Sequence, residues 1–397
     1  MPAKKNPVKR VQKIESRDET RSDAPASSSA SLAHFSMEPM TIDPKILAKY
    51  GGEWSDMPFC KAKMTVELDN ICASGANALR RVMLDELVGH CLSADPDGGT
   101  SARNCVTKNS ATDPFIIDSF LHMNIMCIPL RYDLPKGAED AVFELSVTNN
   151  TPVTISIKSG HIREKTKLLR EPLFNPGFTI GLLMPNCSVE IKELRISRGI
   201  GSKNARLLAD NYHAAYQPVR RAPSVPLDLA EYSDAEIREP GHDLPFGSGY
   251  KESVFTSNPR KHRITAIVPA VSGDGVKVGK QIVADACDGI IDRVRLIRSA
   301  LTENPNWNIR LEENQQDGTA SNSDGVLNLK YETHTIGALL KRVIFDLYPE
   351  CSVNYEYLTH NYTIELHVWH PNKSGKELIL AAVDKIEADF AAIKTGL

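Results

Sequence analysis

Ala78-Leu79-Arg80-Arg81-Val82-Met83-Leu84-Asp85 returns later in the chain as Leu339-Leu340-Lys341-Arg342-Val343-Ile344-Phe345-Asp346. Four of the eight positions are identical (Leu79/Leu340, Arg81/Arg342, Val82/Val343, Asp85/Asp346), and three more are similar pairs. A second correspondence lies downstream. Gly279-Lys280-Gln281-Ile282 opens a run through Ala286, Asp288, Ile290, Ile297 and Leu301, and Gly375-Lys376-Glu377-Leu378 opens one through Ala382, Asp384, Ile386, Ile393 and Leu397. Repetition of this kind sets the architecture before any local reading. The chain holds two copies of a helix-plus-helix unit. The first helices are 261 positions apart and the second helices 96, so copy one carries an insertion of 165 residues. A unit that cannot bury its apolar faces alone buries them against its twin, which predicts a pseudo-symmetric pair within one chain.

Leu79, Val82, Met83 and Leu87 fall at i, i+3, i+4 and i+8, an amphipathic stripe that predicts a helix over 75–88 with Ser74 as its N-cap. Its counterpart runs from Thr335 to Tyr348, capped by His334-Thr335 and stopped by Pro349. Val278, Ile282, Ala286, Ile290, Val294, Ile297 and Leu301 predict a long helix over 276–301 at near-heptad spacing, broken by Asn304-Pro305-Asn306. A terminal helix covers 376–394. Alternation predicts strands at 61–68, 264–268, 307–312, 325–330, 353–357 and 362–368, the last with Ile364, Leu366 and Val368 on one face. Inside the insertion, Asp95-Pro96-Asp97-Gly98-Gly99 reads as loop and 115–128 as a short helix and strand stopped by Pro129. Strands are expected at 142–147, 153–158, 178–183 and 189–196. The fold class is α+β: two pseudo-symmetric units of helices packed on small antiparallel sheets, the first carrying an α+β insert. The expected division is a disordered tail (1–40), a split first unit (41–89 and 190–302), an insert (90–189) and a second unit (303–397).

Composition narrows the function. The chain has 397 residues, with 47 Lys and Arg against 50 Asp and Glu, a net charge of −3, so no global basic field points to nucleic acid. The eight cysteines (60, 72, 91, 105, 127, 187, 287 and 351) include no CxxC, the pattern of reduced, mostly buried thiols. Apolar runs are short and interrupted by Asp, His or Arg, which predicts neither a signal peptide nor a spanning helix. Residues 1 to about 36 carry Lys4, Lys5, Lys9, Arg10 and Lys13 and then Ala24-Pro25-Ala26-Ser27-Ser28-Ser29, too few apolar groups to fold alone. They read as a solvated tail, with a basic nucleic-acid-binding or import arm as the alternative. GxSxG, HExxH and P-loop motifs are absent, and Asp85 and Asp346 sit in the repeated helix, which argues for structure rather than catalysis.

The quoted residues resemble the α-type assembly subunits of multisubunit RNA polymerases. Ala76-Asn77-Ala78-Leu79-Arg80-Arg81-Val82-Met83, with Glu86 behind it, is similar to the signature of the larger partner, the third subunit of eukaryotic RNA polymerase II and the archaeal D subunit. Glu332-Thr333-His334-Thr335-Ile336-Gly337-Ala338-Leu339-Leu340 is similar to that of the smaller partner, the eleventh subunit and the archaeal L subunit. Phe120-Leu121-His122, Ile128-Pro129-Leu130, Gly199-Ile200-Gly201 and His213 through Val219 also agree with the larger partner. The resemblance covers about residues 60–397. Those partners are separate chains in cellular enzymes, so their fusion resembles the third/eleventh-type subunit encoded by large nucleocytoplasmic DNA viruses. The chain departs from the smaller signature at Thr333, where the family usually has Asp, and at Ala338, where it often has Asn.

The resemblance implies a non-catalytic scaffold that nucleates assembly of the largest and second-largest polymerase subunits, with small subunits of the tenth and twelfth type as further partners. DNA and RNA are then met only through the complex, no membrane is involved, and the setting is the virion and the viral factory in host cytoplasm, or the host nucleus. The expected dimerisation seam is Leu79, Val82, Met83 and Leu87 with Ile282, Ile290 and Ile297, against Leu340, Val343 and Ile344 with Ile386 and Ile393. Fusion makes this pairing intramolecular, at an effective concentration of roughly millimolar. Asn77, Arg80, Arg81 and Arg342 lie off the apolar stripe and are the candidates to meet the large subunits, since Arg is enriched at interfaces. The alternative is a solvated charged face, and for Asn77 a local helix-start bond. The third-type subunit commonly carries a cysteine-bound zinc. Cys91, Cys105, Cys127 and Cys187 lack the close paired spacing that tetrahedral zinc uses, so neither zinc nor another cofactor is expected.

Overall fold

The computed structural model describes residues 29–40, 60–94, 106–109, 118–200, 214–220, 257–271, 275–302, 309–313, 325–330, 332–358 and 363–397. The expectations at 1–28, 95–99, Cys105, Gly201, His213 and the breaker at 304–306 lie outside these residues.

Two four-stranded antiparallel sheets have the same strand order. In the first, β1 (Ser31–Pro39), β2 (Cys60–Asp69), β11 (Ser257–Val271) and β10 (Ala214–Arg220) lie side by side in that order. In the second the order is β12 (Ile309–Glu313), β13 (Gly325–Lys330), β15 (Thr363–Trp369) and β14 (Ser352–Leu358). Numbered within each sheet, both run first, second, fourth, third. β2 shows why the strands form: Ala62, Met64, Val66 and Leu68 are buried, while Lys63, Thr65 and Glu67 alternate toward solvent, the period-two pattern of a half-buried sheet. Ile364, Leu366 and Val368 line the buried face of β15.

Each sheet is backed by a short and a long helix. The short ones are α1 (Ala73–Arg81), continued by a π-turn (Val82–Glu86), and α4 (His334–Leu347); the long ones are α3 (Gly275–Thr302) and α5 (Gly375–Thr395). Ala73 and His334 differ by the repeat offset of 261, so the two short helices start at equivalent residues. Their N-caps are equivalent too. Cys72 is extended and its Sγ accepts from Gly75 N at 3.3 Å; Thr333 is extended and its Oγ1 accepts from Thr335 N at 3.3 Å. This corrects the expected caps Ser74 and His334-Thr335. The cap must precede the first helical φ/ψ pair, and a thiol in that role is not among the preferred side chains. Gly337 lets α4 sit directly on its sheet, because a Cβ there would lie 2.9 Å from Tyr355 Cδ2.

The insertion occupies the connection from the π-turn to β10. β3 (Val88–Ser93), β9 (Ser188–Ile200), β5 (Phe143–Thr148) and β7 (Ile162–Glu164) form its main sheet, with β4 (Val106–Asn109) also on β9. β6 (Ile155–Lys158) pairs with β8 (Thr179–Leu183), and α2 (Asp118–Met126) packs against β3 and β8. This part has its own core around Leu92, Ile125, Leu145, Ile157 and Ile191. Tyr132 ties it to the rest: its ring packs on the main core and its hydroxyl donates to Asp285 of α3 at 2.6 Å.

Three expectations are corrected. The tail does not extend to residue 40: β1 pairs along β2, and the buried Ala30 N donates to Asp389 of α5 at 2.9 Å. The alternation in Ser31–Pro39 is weak, so only its partner strand and α5 reveal it. The insert does not end at 189, because β9 stays in the insert sheet to Ile200, opposite Val88. Among the described residues of 115–128 there is α2 but no strand, and Leu130 just beyond makes a single bridge to Phe174.

Candidate functional site

One apolar core joins both sheets and all four unit helices. Leu79, Val82, Met83, Ile282, Ile290, Ile297, Leu340, Val343, Ile344, Ile386 and Ile393 are buried in it, and Leu87, just past the π-turn, is partly buried against it. α1 touches α4 and α3, α4 touches α5, and α3 lies along α5. Seven positions of the buried faces of the long helices correspond under the 96-residue offset: Ile282, Val283, Ala286, Cys287, Ile290, Val294 and Ile297 match Leu378, Ile379, Ala382, Val383, Ile386, Phe390 and Ile393.

The polar rim shows the symmetry of the crossing. Lys394 Nζ meets Asp288 at 2.6 Å, and Arg298 meets Asp384 at 2.5 Å. Asp384 is the repeat counterpart of Asp288, and Lys394 that of Arg298, so one ion pair occurs twice with its partners exchanged. That is the mark of an isologous contact, and it makes α3 and α5 antiparallel. The first strands repeat the exchange: β1 packs on α5 and β12 on α3. Glu387 breaks the symmetry by taking both Arg295 (2.7 Å) and Arg298 (2.5 Å).

A polar node lies off the pseudo-axis. Glu86, with its side chain only 2 % exposed, accepts from Arg293 of α3, from Thr335 Oγ1 at 2.8 Å and from Thr333 Oγ1 at 3.3 Å. It thereby links the π-turn, the long helix of copy one and the start of α4. Burial, reinforced by Glu86, pushes the carboxyl of Glu332 above the ordinary range, with Arg293 pulling the other way. At the symmetry-equivalent place, Leu347 and Asp389 stand for Glu86 and Arg293. There a cavity of about 40 Å³ opens among Cys72, Arg260, Asp346, Leu347, Lys385 and Asp389.

The raised Glu332 pKa carries a pH prediction. A carboxyl that binds its proton more tightly when folded favours folding as pH falls, with the gain complete below its unfolded value, roughly 4.3. Glu332→Gln is expected to raise the thermal midpoint at pH 7 and to remove part of the gain that the wild type shows between pH 7 and pH 5. A parallel shift of both proteins across that range would refute this.

The off-stripe residues are held differently. Asn77 Oδ1 accepts from Arg80 Nε at 2.9 Å, a local bond within α1. Arg80 and Arg81 are half-buried. Arg342 pairs with Asp346 at 3.0 Å and lies 6.0 Å from the centre of the Phe345 ring, whose side chain is 47 % exposed. The thiols of Cys72, Cys287 and Cys351 are pushed up by burial, that of Cys287 to about 12. Of the four cysteines considered for zinc, Cys91 and Cys187 are buried and Cys127 is exposed. Missed by sequence reasoning were Glu86 as a cross-unit acceptor, Arg293 and Asp389. Their signal was available, since each is a charged residue inside or beside a helical apolar stripe.

The architecture, α+β with small antiparallel sheets backed by helices, is compatible with the α-subunit class of RNA polymerase components. The chain is 28 % identical over 338 residues to the protein named DNA-directed RNA polymerase RPB3-11 homolog of African swine fever virus isolate Tick/Malawi/Lil 20-1/1983, spanning 83 % of this chain and 84 % of that one. The same protein of isolate Tick/South Africa/Pretoriuskop Pr4/1996 matches with the same identity and coverage. The resemblance read from the two signatures to a fused third/eleventh-type viral subunit thus extends over most of the chain. No family model matches the chain.

Proposed function

We propose that this chain is a non-catalytic assembly subunit of a multisubunit DNA-directed RNA polymerase, working as an intrachain equivalent of the third/eleventh heterodimer. The observation that carries the reading is the ion pair repeated with exchanged partners, Asp288–Lys394 and Asp384–Arg298. It is the arrangement expected when two homologous units pair about a pseudo-two-fold axis. The likeness to the viral RPB3-11 homologs supports the polymerase context.

In this reading the first unit comprises β1 to the π-turn and β10 to α3, the second runs from β12 to α5, and Val88 to Ile200 is the insert. The buried seam is the dimerisation surface. The outward faces of α1 and α4, with Arg80, Arg81 and Arg342, meet the two large subunits, and small subunits of the tenth and twelfth type complete the surroundings. The subunit needs no zinc or other cofactor, reaches DNA and RNA only through the complex, and acts in the virion and viral factory or the host nucleus. Among the described residues no helix is long and apolar enough to cross a membrane.

The test is tagged purification from the native source with mass spectrometry of what accompanies the chain. Two much larger subunits and RNA synthesis activity in the eluate are expected, with recovery lowered by Arg80→Glu/Arg81→Glu. A chain recovered alone would overturn the polymerase assignment.

A further inference from the structure

The two repeat helices use their shared aspartate differently. Asp346 on α4 is held between Arg260 of β11 at 3.2 Å and Arg342, one turn earlier, at 3.0 Å. It is consumed inside the molecule, joining the first sheet to the second unit. Its counterpart Asp85 has Oδ1 sealed from solvent with no hydrogen-bond partner. Asp85 as a residue is half-buried.

The cause is local geometry. In an α-helix residue i+4 stands over residue i, which is how Arg342 reaches Asp346. Copy one keeps both residue types at the same spacing, as Arg81 and Asp85, but there the chain winds as a π-turn, with Leu87 N donating to Val82 O at 3.0 Å. The wider turn carries Asp85 out of register with Arg81. Such π-turns are frequent at functional sites. Burial and Glu86 push the carboxyl pKa of Asp85 up, against the pull of Arg81, Arg80 and Arg293, so the guanidiniums nearby do not fully compensate it. Leu84 and Arg81, beside it, are also half-buried.

We propose that Asp85 is completed in the assembled polymerase by a basic side chain of a large subunit, which makes the π-turn a docking point that α4 lacks. This rests on the assembly reading above. A basic side chain fits because an ionised carboxylate only accepts hydrogen bonds, and a charged donor supplies both the bond and the missing countercharge. An unmet acceptor is a liability in the free chain and a gain on association, the usual trade between stability and function.

The experiment co-expresses the full chain with the two large subunits and measures their molar recovery on the tagged chain for wild type, Asp85→Ala and Asp85→Asn. The thermal midpoint of each free full chain is measured in parallel. Both substitutions are expected to cut recovery about tenfold while the free chain melts at an equal or higher temperature. Unchanged recovery with Asp85→Ala would overturn the proposal. So would a lowered midpoint of the free variants, which would make Asp85 an internal structural group. Recovery kept by Asp85→Asn but lost by Asp85→Ala would mean a neutral donor and overturn the basic partner. If the wild type itself recovers no large subunit, the assembly reading falls and this proposal with it.

Discussion

Arg293→Ala is expected to destabilise the chain by about 3 kcal/mol, because it strips from an almost fully enclosed carboxylate the only cation paired with it among the described residues. Glu86 would keep the hydroxyls of Thr333 and Thr335, but two neutral donors do not balance a buried charge next to Glu332. The reverse treatment separates the cost of a broken pair from the value of an intact one. Replacing both partners with apolar residues of similar size, Glu86→Leu with Arg293→Met, is expected to recover most of the loss, since such swaps are often neutral or better. Urea denaturation followed by circular dichroism measures both. A loss below about 0.5 kcal/mol for Arg293→Ala, the range of ordinary surface changes, would mean that water reaches the node.

Leu340→Ala is the second large effect, expected at about 3–4 kcal/mol from lost burial and the cavity left behind. Leu340 is fully buried on α4 in the core that both units share. The two sheets are therefore expected to melt together, and the variant should lower a single transition rather than split it. Leu296→Ala, on the exposed side of α3, serves as the control and should stay within about 0.5 kcal/mol. Separate melting of two units in the wild type would show that the seam does not couple them.

How far the sequence could be read follows the range of each interaction. Helix α4 and strand β13 were legible almost to the residue, because apolar periodicity and breakers such as Pro349 act within a few positions. The repeat itself was legible because it compares the chain with itself and needs no geometry. β1 was not. Its residues Ser31–Pro39 alternate weakly, and what orders them is the hydrogen bonding to β2 and the contact of Ala30 with Asp389, a partner 359 positions away. The π-turn was equally hidden. Val82–Glu86 has the composition of a helix and continues an amphipathic stripe, so the local pattern predicts an ordinary α-turn.

The sequence by itself determined that this chain holds two related units, which apolar positions face inward, and which polymerase subunits it resembles. Those facts are carried by residue type at fixed spacing, and spacing survives in one dimension. The tertiary structure alone decided that Asp288–Lys394 and Asp384–Arg298 are one contact made twice, that Glu86 is neutralised by Arg293 of its own unit while it accepts from the start of α4, and that Asp346 is paired while Asp85 Oδ1 has no hydrogen-bond partner. Each of these depends on which charged groups meet after the units cross and on how tightly one turn winds. Residues of like sequence at equivalent positions therefore end in different electrostatic surroundings, and only three-dimensional placement sets which of them is left for a partner.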